Sequence, residues 1–188
     1  MKENQMRKIL TALCCSALLL ACAASYETET EDASVLHFKE AKGTATSGNL
    51  IDHGGKILPI SNTYAIWWGN QAAFPADAKI GLTAFFQGLS GSNFLGVSSQ
   101  YMRGATSSSN FHTNWTDTSS PPNHGPSVSL ITNEVCKTIG NNGATPDPAG
   151  IYFVYTSNFP RTNYCAWHSY GTCNGVNIQV AYMPNTTG

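Results

Sequence analysis

Residues 151–156 read IYFVYT, a run of aromatic and β-branched side chains with no polar alternation. A strand of this kind has no face to give to water, so it reads as buried on both sides of a sheet. TYAIWW (63–68) is a second strand of similar composition, closed by Gly69. Its neighbours Trp67 and Trp68 cannot share one side, which places one in the core and lets the other cap a groove. Pro75 opens a helix in which Ala78, Leu82, Phe85, Phe86 and Leu89 recur at offsets of four, seven, eight and eleven, on one face. Pro75 suits the first turn, Asp77 the positive end, and Gly88 and Gly91 the exit. Residues 94–102 predict a second short helical piece. SVSLIT (127–132) alternates and predicts a strand, 141–150 is a turn cluster, and VNIQVAY (176–182) is a further strand. The expected class is α+β, with a mixed sheet of about four strands and one main helix packed on it.

Charged residues make up 11% of the 188, against about 25% in a typical domain. Gly, Ser, Thr and Asn take their place, a mixture suited to a strand-and-loop extracellular domain. With a net charge of -1 and no basic patch, nucleic acid is not an expected partner. The chain opens MKENQMRKILTALCCSALLLACAAS: a positive start, a short apolar run, then small residues. The run is shorter than the roughly 20 residues a membrane span needs, and fits a signal peptide. Leu19-Leu20-Ala21-Cys22 is similar to a lipobox, in which Cys22 would be lipidated; the rival is ordinary cleavage after Ala23 or Ala24. Residues 1–22 are therefore expected to be a signal and 23–48 an acidic flexible tether. Residues 49–188 are expected to form the folded domain. The implied place is extracytoplasmic, as an outer-membrane lipoprotein held through its N-terminal lipid or as a secreted protein.

Export makes disulfides the default use of cysteine. Cys165 and Cys173 are expected to close a short loop, leaving Cys136 unpaired or with its partner missing. Two other readings stay open for YCAWHSYGTC (164–173). One is a zinc site from Cys136, Cys165, His168 and Cys173; the other is a reactive Cys165 beside His168. Residues 104–126 predict a long surface loop, with room for one short strand. His53, Trp115, Trp167 and His168 are the candidate ligand-binding residues, the tryptophans as loop platforms for sugars; His112 and His124 are further imidazoles. Asp52, Asp77, Asp117, Glu134 and Asp147 are scattered, and no spacing marks an acid–base pair. No H-E-x-x-H, nucleophile elbow, P-loop or G-x-G-x-x-G occurs, so no catalytic residue and no metal ligand is assigned.

Taken in order, His53-Gly54-Gly55, TYAIWWGN with the helix from Pro75, AGIYFVYTSNF (149–159), the Cys165/His168/Gly171/Cys173 loop and VNIQVAY resemble the Exordium-like, or phosphate-induced, family of secreted plant and bacterial proteins. The resemblance covers residues 49–188. It implies a surface or secreted protein tied in plants to cell growth and wall extension, without a settled biochemical activity. Bacterial members resemble metallopeptidases in continuing into a helix with a His-Glu-x-x-Glu type motif followed by Thr-Asp-Pro. This chain stops at Pro184-Asn-Thr-Thr-Gly188. The expectation is thus a metallopeptidase-like layer architecture lacking its C-terminal part, non-catalytic as it stands, with no cofactor. Zinc would enter only with the missing segment. The alternatives are the N-terminal part of a zinc-metallopeptidase-like enzyme, or a module binding cell-wall or extracellular glycan.

Overall fold

The computed structural model describes residues 51–186 and the two-residue strand Leu36–His37. The expected leader, the lipidation residue Cys22 and the rest of the 23–48 stretch lie outside the described residues. Ten elements follow in order. They are β1 (Leu36–His37), β2 (Ile60–Trp68), a 3₁₀ turn (Gln71–Ala73), α1 (Ala78–Leu89), α2 (Asn93–Ser99), β3 (Ser108–Asp117), α3 (Val128–Asn141), β4 (Gly150–Thr156), β5 (Trp167–Cys173) and β6 (Val176–Pro184). The class is α+β with a mixed sheet, as expected, though the described residues hold six strands rather than about four.

The sheet order is β1-β5-β6-β4-β2-β3. Strands β3, β2, β4 and β6 run parallel, while β5 is antiparallel to β6 and to β1. The IYFVYT run is β4, flanked by β6 and β2, with Tyr152 and Val154 fully buried. Successive side chains alternate between two covered faces. On one, Ala65, Trp67, Phe153 and Tyr155 pack with Phe86, Leu82 and Leu89 of α1. On the other, Tyr64, Ile66, Trp68, Val154, Ile178 and Tyr182 pack with Ile131, Val135 and Ile139 of α3. Trp67 and Trp68 are accordingly both core, 1% and 6% exposed, one on each face. Neither caps a groove.

Two sequence expectations are overturned here. SVSLIT opens helix α3 instead of forming a strand. Ser127 caps it, its Oγ accepting from Leu130 N at 3.2 Å, and Ile131, Val135 and Ile139 then recur every four residues. The six-residue window ended before that period could show. Within 104–126, where room for one short strand was expected, the segment SSNFHTNWTD forms a ten-residue strand. It pairs with β2 across a bulge: Thr63 faces Phe111 but Tyr64 faces Thr113, leaving His112 extra. Asn174 and Gly175, both at positive φ (49° and 80°), make the tight turn between β5 and β6.

Candidate ligand cleft at the carboxyl edge of the sheet

The parallel strands set the position of the site. Strand β2 leads through α1 and α2 to β3 on one side, whereas β4 leads toward β5 and β6 on the other. Neighbouring strands whose exits diverge leave a crevice beyond their carboxyl ends, where open α/β sheets take ligands. Such a cleft is present, of about 530 Å³, lined by Gly69, Asn70, Gln71, Thr118, Ser120, Pro121 and Ser157.

Backbone geometry fixes its walls. Gly69 adopts φ +112°, and a Cβ there would sit 2.1 Å from Ser157 Oγ, so only glycine allows the two loops to cross. Ser157 N donates to Trp68 O at 2.9 Å, and Asn70 N donates to Ser157 Oγ at 3.1 Å. Gln71 Nε2 donates to Trp67 O and Gly69 O, at 3.1 and 2.7 Å, while its Oε1 accepts from Lys79 Nζ at 2.6 Å. Asn158 Nδ2 reaches Pro122 O at 2.8 Å and Asn185 Nδ2 reaches Ala73 O at 2.9 Å, so the segments that follow β2, β3, β4 and β6 are tied together. The walls are pre-formed.

Behind the wall formed by residues 118–121 lies a charged cluster. Lys137 Nζ is 2.6 Å from Asp117 Oδ2 and 2.6 Å from Glu134 Oε2. Burial pushes the Glu134 carboxyl up to about 7; the neighbouring Asp117 adds to this and Lys137 opposes it. Asp117 goes the other way: burial would raise it, but hydrogen bonds from Lys137 and Ser119 hold it well below the usual carboxylate range. Trp68 Nε1 donates to Ser119 Oγ at 3.0 Å, and Lys137 lies over the Trp68 ring at 5.6 Å. Two of the five scattered acids thus meet through Lys137. Sequence spacing could not show this, because they come from a strand and a helix that only the fold brings together.

Of the four sequence candidates, only Trp167 and His168 border a common groove. His53 is exposed in the stretch before β2, next to Asp52, which is paired with Arg103 at 2.6 Å. Trp115 is not in a loop but on β3, half-buried and stacked on Tyr64 at 5.3 Å. Trp167 is also on a strand, β5; it is 2% exposed, packed against Tyr182. His168 points to the opposite, α1 side of the sheet. There it lines an apolar groove of about 520 Å³ with Leu58, Ile151, Phe153, Ala181 and Met183. Trp167 also borders this groove, although the alternation of β5 sends its ring and that of His168 to opposite faces of the sheet.

The cysteines also differ from expectation. Cys136 of α3 is bonded to Cys173 at the end of β5, and Cys165 is free and exposed. The reason is the course of α3, whose Thr132 packs against Gly171 so closely that a Cβ on Gly171 would lie 2.2 Å from Thr132 Oγ1. That approach brings Cys136 to Cys173, with Cα atoms 5.5 Å apart. The disulfide takes two of the four thiolate and imidazole groups of the zinc alternative. Among the described residues no group of three or more metal-ligating side chains is gathered.

The cleft residues Asn70, Thr118, Ser120 and Ser157 were not legible as a site. Gly69 and the end of the strongest strand were visible, but their meaning needs the parallel β2–β4 pairing. Comparison with protein-family models, with curated proteins and with solved structures returns no match.

Proposed function

We propose that this chain is an exported, Exordium-like surface domain that acts by binding an envelope or extracellular component and not by catalysis. The observation that carries the reading is the pre-formed cleft beyond β2 and β4, whose lining side chains are amides, hydroxyls and proline, without a charged group. Such a surface can recognise a ligand but holds no obvious nucleophile or general base. Asp117 and Glu134, behind the 118–121 wall, are engaged by Lys137. The Cys136–Cys173 bond supports an oxidising location, and the leader with Cys22 supports attachment to a membrane.

The test is expression of the full chain, leader included, in a bacterium that processes lipoproteins. The mature N-terminus is identified by mass spectrometry, and retention on sedimented envelopes is measured after processing. The expected result is a shortened chain, retained on envelopes, with Cys136 and Cys173 oxidised. An uncut chain in the cell interior with both thiols reduced would overturn the proposal.

A further inference from the structure

Resting on the binding reading above, we infer that the carboxyl-edge cleft takes a short neutral oligosaccharide, contacted by Asn70, Thr118 and Ser120. The charge balance around the cleft selects the ligand class. A cation would need carboxylates, and none lines the cleft; Asp117, next in sequence to Thr118, is engaged by Lys137 at 2.6 Å. An anion would need a cationic group in the lining, and none is there; Lys79 stands outside it, with its ammonium on Gln71 Oε1 at 2.6 Å and over the Trp67 ring at 5.4 Å. An apolar ligand would leave the rim hydroxyls and amides without water. What fits is an uncharged molecule dense in both donors and acceptors.

The rim offers both. Asn70 Oδ1 accepts from Ala72 N at 3.1 Å, which fixes the amide and turns Nδ2 to donor duty. The Thr118 and Ser120 hydroxyls, each able to donate and accept, have no hydrogen-bond partner among the described residues. Pro121 supplies a small apolar surface for the C–H face of a sugar ring. A volume of about 530 Å³ lies in the usual range for small-ligand sites, about 300–1,000 Å³, enough for a short oligomer and too small for a folded partner. The walls are tied by Gly69, Ser157, Asn158 and Asn185, so little ordering accompanies binding.

The experiment titrates the exported, processed chain by calorimetry with soluble β-glucan and mannan oligosaccharides, with oligogalacturonate, and with inorganic phosphate. Thr118→Val and Ser120→Ala remove hydroxyls that support no other part of the fold. Asn70→Asp keeps the acceptor for Ala72 N while replacing the donor with a charge. The expected result is binding of at least one neutral set, weakened about tenfold by each hydroxyl variant and abolished by Asn70→Asp, with melting temperatures unchanged. Preference for oligogalacturonate or phosphate, absence of neutral binding, or neutral binding indifferent to all three variants would overturn the inference. Envelope retention separates the two readings. Retention without neutral-sugar binding in the titrations sinks the ligand class alone, whereas neutral binding without retention sinks the envelope role alone.

Discussion

Cys136 and Cys173 are joined across 37 residues of chain, tying the middle of helix α3 to the last residue of β5. The bond closes a loop that contains all of β4, and it holds the α3 layer to the antiparallel end of the sheet. Opening it by reduction, or by Cys136→Ser with Cys173→Ser, is expected to cost about 2–4 kcal/mol. Denaturant unfolding with and without reductant measures this. Cys165→Ser should leave stability unchanged, and among these three residues iodoacetamide should label Cys165 alone in the unreduced protein.

Gly69 offers a second point of attack. Its φ of +112° and the position of Ser157 both reject a side chain. Gly69→Ala should destabilise by roughly 2 kcal/mol or more, since strain and clash add. The double variant with Ser157→Gly should recover part of the loss by removing the clash and leaving the strain. Thermal melts of the three proteins settle the split.

Glu134 makes stability depend on pH in a defined window. Its folded-state carboxyl is raised to about 7 from 4.5, so below 4.5 it is protonated in both states and carries no penalty. Between 4.5 and about 7 the unfolded chain ionises first, and stability falls as pH rises, by roughly 3 kcal/mol in total; above 7 the loss is constant. Asp117, lowered from 3.8, acts in the opposite sense and only in more acidic solution, so the two windows are separate. Glu134→Gln should flatten the melting temperature between pH 4.5 and 7 and raise it at pH 8.

The two tryptophans once paired as sugar platforms should behave differently. Trp167 is 2% exposed and sealed against Tyr182, so Trp167→Ala is expected to cost about 3–5 kcal/mol. Trp115 is only half-buried on the terminal strand β3, and Trp115→Ala should cost less than half as much. Denaturation midpoints of the single variants give the comparison. Equal losses would contradict the placement of the two rings.

Legibility followed the length of each local signal. The runs at 63–68, 151–156 and 176–182 are long enough to declare themselves, and α1 shows its apolar face over three turns. Residues 127–132 alternate for six positions and then continue with helical spacing, so a short window favours the wrong period. That misreading had a wider effect. Without α3 there is no crossover between β3 and β4, hence no parallel β2–β4 pairing, no diverging exits and no cleft. The disulfide was hidden for the same reason, because Cys165 is the nearer partner of Cys173 in sequence and Cys136 the nearer in space only after α3 lies across the sheet. The meeting of Asp117 with Glu134 likewise depends on that one helix.

His112, the extra residue of the β2–β3 bulge, has an outcome larger than its size. Phe111 points to the α1 side of the sheet, and strict alternation would send Thr113, Trp115 and Asp117 the same way. The inserted position reverses the phase of everything after it. Trp115 therefore stacks on Tyr64, and Asp117 arrives on the side where Lys137 waits. Excising His112 would rotate both out of reach of their partners, so a single added residue in this strand decides whether Lys137 bridges two carboxylates or holds only Glu134, its neighbour on α3.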